Sequence, residues 1–126
     1  MKTEKILNLT QHSPSAEQVE AGVFEPPQAM KEEVKNLLTF TDLPTAGEIG
    51  ERASHLAALA AEQGARAAMI GGAPYLMGPL ETALKARGIT PLFAFTVRES
   101  REEVLPDGST RKVAVFRHLG FVEAVP

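Results

Sequence analysis

Apolar positions along this chain follow two rhythms in turn. Short, nearly continuous apolar runs read as buried strands: Lys5–Leu9, Val23–Glu25, Arg66–Ile70 and Thr90–Val97. Between them, apolar residues recur at helical spacing. Gln28–Leu38 carries Met30, Val34, Leu37 and Leu38, and the helix from Thr45 to about Gln63 buries Ile49, Ala53, Leu56 and Ala60 on one stripe.

The boundaries carry their own chemistry. Thr45 with Glu48 is a capping-box pair, and Gly64 is a stop. For the first helix two starts compete: Ser13 before Pro14, or Ser15 with Gln18; it ends near Gly22. Pro26-Pro27 stops the second strand. The helix that ends at Gly88 contains Pro79, so either it begins at Gly78-Pro79 or an earlier helix is kinked there.

Glu102–Leu105 and Thr110–Phe116 flank the turn signal Pro106-Asp107-Gly108-Ser109 and read as an antiparallel hairpin. Pairing centred on those four residues sets Glu103 opposite Lys112 and brings Arg98 near Arg117. Alternating strands and helices predict an α/β sandwich, with a mainly parallel sheet and an antiparallel addition at one edge.

Composition narrows the chemistry. The 126 residues read as one domain, 1–126, and 44% hydrophobic content suffices for a core without metal or disulfide staples. Absence of cysteine removes disulfides, thiolate zinc and a cysteine nucleophile, and fits a cytoplasmic protein. The opening Met1–Lys5 leads into too few apolar residues for a signal peptide, and no run is long enough for a membrane span. A net charge of -3 disfavours binding of duplex DNA along a broad face.

Ligands of open parallel sheets bind beyond the carboxyl ends of the strands. Two loops open on that edge: Thr10-Gln11-His12-Ser13, and Gly71-Gly72-Ala73-Pro74-Tyr75. If their strands are neighbours, both face one crevice. Gly71-Gly72 suits either a tight turn or a backbone cradle for an anion at a helix N-terminus. His12 suits general acid-base work or a plain surface position. Thr10 and Ser13 suit ligand contact or helix capping, and Tyr75 suits base stacking or packing. His55 is expected on the exposed face of its helix. The dinucleotide and P-loop glycine patterns, the nucleophile elbow and paired-histidine metal spacing are all missing, so no cofactor or metal is expected.

The last third of the chain adds a resemblance. Ile89-Thr90-Pro91-Leu92-Phe93-Ala94-Phe95-Thr96-Val97-Arg98-Glu99, then Pro106-Asp107-Gly108-Ser109, Lys112, Val115-Phe116-Arg117-His118 and Phe121 follow in an order that resembles small single-domain CRISPR-associated proteins related to the CARF (CRISPR-associated Rossmann fold) domain. The likeness spans about residues 66–123. The N-terminal half is similar mainly in organisation.

The resemblance implies a Rossmann-like three-layer sandwich, a homodimer, and cyclic oligoadenylate as ligand. It also implies a ring nuclease of type III CRISPR defence, in which the ribose 2′-hydroxyl attacks the adjacent phosphate without metal and leaves a cyclic 2′,3′-phosphate. On that reading His12 and Thr10 are the catalytic candidates. Gln11, Ser13, Gly71, Gly72, Ala73, Tyr75, Arg98, Arg117 and His118 are the ligand-binding candidates. The alternatives are a sensor of the same ligand without catalysis, or an unrelated small α/β dimerisation protein.

Overall fold

A computed structural model describes residues 5–124; Met1–Glu4, most of the segment read as too short for a signal peptide, lie outside it. The elements in chain order are β1 (Ile6–Leu9), α1 (Ala16–Glu20), β2 (Val23–Phe24), α2 (Gln28–Leu38), α3 (Ala46–Glu62), β3 (Ala67–Ile70), α4 (Pro74–Ala86), β4 (Thr90–Val104) and β5 (Thr110–Glu123). The five strands form one mixed sheet in the order β2-β1-β3-β4-β5. Its first four strands run parallel and β5 runs antiparallel to β4.

Burial follows the period of two. Leu7, Leu9, Ala68 and Ile70 face the apolar stripes of α2, α3 and α4 and form the main core with Leu56, Leu76 and Leu80. Ile6, Val23, Ala67 and Met69 lie in a smaller cluster covered by Leu92 and Phe121 at the root of the β4–β5 hairpin. Every residue of β1 and β3 is buried.

Local chemistry settles the open boundaries. Ser15 caps α1: its hydroxyl accepts from the Gln18 N–H at 3.1 Å, and the Gln18 side chain accepts from the Ser15 N–H at 3.0 Å. Thr45 caps α3 in the same manner at 3.1 Å, but Glu48 turns instead to Arg52 at 3.2 Å. Helix α4 begins at Pro74 and continues through Pro79. An interior proline costs about 3 kcal/mol, and burial of Leu76, Met77, Leu80 and Leu84 outweighs it.

The hairpin departs from expectation in length and register. Strand β4 does not end at Val97; it runs unbroken to Val104. The turn spans Leu105–Ser109, one residue longer than the four-residue signal, so Val104 pairs with Thr110. Every pair from Val104 back to Thr96 shifts by one. Glu103 therefore faces Arg111, with a 2.6 Å ion pair, and Lys112 faces Glu102. Arg98 lies opposite Phe116, and Val97 opposite Arg117, so the expected Arg98–Arg117 approach is replaced. Asp107 holds the turn by accepting from the Ser109 hydroxyl at 2.6 Å and its N–H at 2.9 Å. Those two bonds keep its carboxyl below the ordinary carboxylate range.

Nearer the sheet, pairing slips between Phe95 and Thr96: Gly120 faces Phe95, His118 faces Thr96, and Leu119 is left over. Gly120 takes φ +156°, and the bulge bends the ribbon. The β5 strand thereby reaches α1, although α1 follows β1, three places away in the sheet. Glu17 accepts from the His118 N–H at 3.1 Å and pairs with Arg117 at 3.5 Å.

Leu80 lies fully buried between α4 and the sheet. Truncation to alanine leaves a cavity, so Leu80→Ala is expected to lower unfolding free energy by about 2–5 kcal/mol in urea titrations. A loss under about 1 kcal/mol would contradict this core assignment.

Candidate functional site

The site begins with the way β1 and β3 end. Their register runs from Ile6↔Ala67 to Leu9↔Ile70, so both strands stop level. After β1 the chain turns towards β2; after β3 it turns the other way, towards β4. Loops leaving two neighbouring parallel strands in opposite directions open a crevice between them. The loops touch at its base: a Cβ on Gly71 would lie 3.5 Å from the Thr10 methyl. Gly72 sits at φ +149°, a backbone state that side chains rarely adopt.

A cavity of about 390 Å³ occupies this crevice. Thr10, Gln11, His12, Ser13, Gly71 and Gly72 line it, as the two-loop reading expects. Sequence reasoning missed the rest of the wall: Gln18 from α1, Met69 and Ile70 from β3, and Phe93, Ala94 and Thr96 from β4. No lysine, arginine, aspartate or glutamate lines it, and His12 is its one titratable side chain among the described residues. The N–H groups of Gly72 and Ala73 donate to no backbone acceptor among the described residues, and α4 starts without a side-chain cap. They are free donors at the positive end of a helix.

Asn8, also missed, shapes the β1 loop. It is 2% exposed. Its Nδ2 donates to the His12 carbonyl at 2.8 Å and to Glu25 Oε1 at 3.2 Å. Its Oδ1 accepts from the Thr10 hydroxyl at 2.7 Å and the Thr10 N–H at 3.0 Å. The Thr10 hydroxyl in turn accepts from the His12 N–H at 3.2 Å. The loop is thus pinned at both ends, while the exposed His12 ring stays free of hydrogen bonds among the described residues. The signal was in the sequence: one amide inside an otherwise apolar central strand demands buried partners.

On its other side the same loop borders a second cavity of about 240 Å³. Asn8, Glu25, Lys31 and Lys35 line it, with Lys31 3.7 Å from Glu25.

The remaining candidates, Ala73, Tyr75, Arg98, Arg117 and His118, lie outside the crevice lining. Tyr75 packs edge-on against Phe40, with ring centroids 5.2 Å apart, and Arg52 stacks 4.2 Å over the other partner, Phe40. Arg52 also donates to the Leu37 and Thr39 carbonyls at the end of α2, at 3.2 and 2.6 Å. Arg98 is exposed on the hairpin. Arg117 pairs with Glu17 and Glu99. His118 meets Gln18 at 3.4 Å and packs on Phe121, so it supports the wall through Gln18. His55 is half-exposed, as expected, and pairs with Glu33 at 2.7 Å.

A family model described as the Uncharacterized protein MJ1673 family matches residues 4–122. The chain belongs to this family. The match embraces every residue lining the crevice and the hairpin up to Val122. No curated protein and no solved structure matches the chain. Among the described residues, no three histidine or carboxylate side chains group to hold a metal ion, and no helix is long and apolar enough to cross a membrane.

Asn8→Asp removes both amide donors and sets a carboxyl beside Glu25 and the His12 carbonyl. Burial and the like charge raise the pKa of the new group in the folded state. Stability is then greater below that pKa and lost as pH rises through it. The variant is expected to be less stable than the parent by about 3 kcal/mol at pH 7, with a narrower gap at pH 4. A gap that is constant with pH would remove Asn8 from this buried network.

Proposed function

We propose that this protein binds cyclic oligoadenylate in the crevice between the β1 and β3 loops and cleaves it by attack of a ribose 2′-hydroxyl. The supporting observation is that the two glycine- and hydroxyl-bearing loops converge on one cavity at the switch point of the sheet. The resemblance of the hairpin supplies the ligand. On this reading the fold is a Rossmann-like three-layer sandwich, the protein works in the cytoplasm, and two copies form a homodimer. One cavity of this volume suits a single nucleotide unit, and a two-fold dimer offers a symmetric ligand two of them.

The lining, with the Ala73 N–H that follows Gly72, divides the work. The free N–H groups of Gly72 and Ala73 hold a phosphate oxygen at the start of α4. Hydroxyls and amides of Ser13, Gln11 and Thr96 surround the sugar edge, and Phe93 and Met69 provide apolar surface for the base. Thr10 acts mainly through loop shape, since its hydroxyl is committed to Asn8. His12 takes the proton from the 2′-oxygen as that oxygen bonds to phosphorus. The bond to the 5′-oxygen breaks, and that oxygen takes a proton from water. Catalysis here is alignment and charge stabilisation by preorganised donors, and needs no metal.

Incubation with labelled cyclic tetra- and hexa-adenylate in EDTA tests the reading. Linear products ending in a 2′,3′-cyclic phosphate are expected. His12→Ala should lower turnover by about 10²-fold while affinity changes less than about threefold. Tight binding without turnover would assign the crevice to sensing; neither binding nor turnover would overturn the proposal.

A further inference from the structure

Beyond Leu92, strand β4 leaves the sheet with one side unoccupied. It pairs with β3 only from Thr90 to Leu92, but with β5 from Leu92 to Val104. Among the described residues, no backbone group outside β5 bonds to Val97–Val104. A strand edge of that length presents a row of open N–H and C=O groups, ready to pair with another strand.

The charges along this edge choose the strand. They read Arg98-Glu99-Ser100-Arg101-Glu102. Laid antiparallel against its own copy about Ser100, the segment sets Arg98 opposite Glu102 and Glu99 opposite Arg101, each twice. A slip of one residue sets Arg98 opposite Arg101, and a slip the other way sets Glu99 opposite Glu102. Like charges directly opposed are unfavourable, so the pattern selects a single register. Arg98, Arg101 and Glu102 form no salt bridge among the described residues, so the pairing displaces none of theirs. The other ribbon edge lacks this property: β5 against itself about Ala114 opposes Arg111 with Arg117.

We propose that a second copy of this chain docks antiparallel along the free edge of β4, with the two-fold axis at Ser100. The product is a continuous four-stranded ribbon in the order β5-β4-β4-β5. The proposal rests on the homodimer in the reading above and is independent of the ligand.

Analytical ultracentrifugation tests it. The parent protein is expected to sediment at twice the 13.5 kDa mass of the chain. Arg98→Glu alone opposes two carboxylates twice, and Glu102→Arg alone opposes two guanidinium groups twice. Each should weaken self-association by about tenfold or more, with an unchanged far-UV circular dichroism spectrum. An equal mixture of the two variants opposes unlike charges again and should dimerise like the parent. A monomeric parent would remove the homodimer itself. A dimer that both variants leave intact, or a mixture that fails to recover, would keep the homodimer and overturn this interface.

Discussion

Asn8 is a polar side chain in the middle of the most buried strand, and the crevice is organised around satisfying it. Its amide makes four hydrogen bonds, to the His12 carbonyl, Glu25 and both the N–H and hydroxyl of Thr10. An unmatched polar group at that depth costs about 1–3 kcal/mol, so the β1 loop has little freedom to adopt another shape. Because β1 and β3 end level, a fixed β1 loop also fixes the wall facing Gly71 and Gly72. Strand burial, loop conformation and crevice geometry are one coupled constraint.

The crevice is chemically quiet. Among the described residues it has hydroxyls, amides, one imidazole and free backbone donors over an apolar floor, and no charged lining. Such a wall recognises shape and hydrogen-bonding pattern and stabilises negative charge through dipoles. The arginines stand elsewhere. Arg52 closes the end of α2 and stacks on Phe40, Arg117 ties the hairpin to α1, and Arg98 and Arg101 stand on the open edge of the ribbon. Arg52 and Arg117 join elements, while the crevice relies on oriented neutral groups.

The ribbon itself follows from two local features. The five-residue turn sets which side chains face each other, and the bulge at Leu119 and Gly120 sets where the ribbon points. A two-stranded ribbon is marginal by itself. Here its root is anchored by Leu92 and Phe121 and its flank by Glu17, and its outer length carries a charge pattern complementary to itself.

Much of this was legible before folding. Apolar runs and helical stripes located the elements, because burial imposes periods of two and 3.6 on any chain with a core. The capping pair at Thr45 marked one helix start, and at α1 the Ser15–Gln18 pair competed with Ser13-Pro14, because a helix N-terminus must find acceptors for its free N–H groups. The two loops of the crevice were legible from strand-then-glycine and strand-then-hydroxyl order. What the linear chain left open was every choice made by contacts distant in sequence. Burial of Leu76 and Leu80 carried α4 through Pro79. Inclusion of Leu105 in the turn shifted the hairpin by one residue and separated Arg98 from Arg117. Gln18 and Phe93 joined the crevice wall only through strand order and the bend of the ribbon. Sequence alone determined where the apolar runs, the helical stripes and the turn signal fall, since those depend on neighbours along the chain, whereas the outer length of β4 and the five-residue turn did not follow from it. Tertiary structure alone decided which side chains share the crevice, since that depends on register, and register is set only when the strands meet.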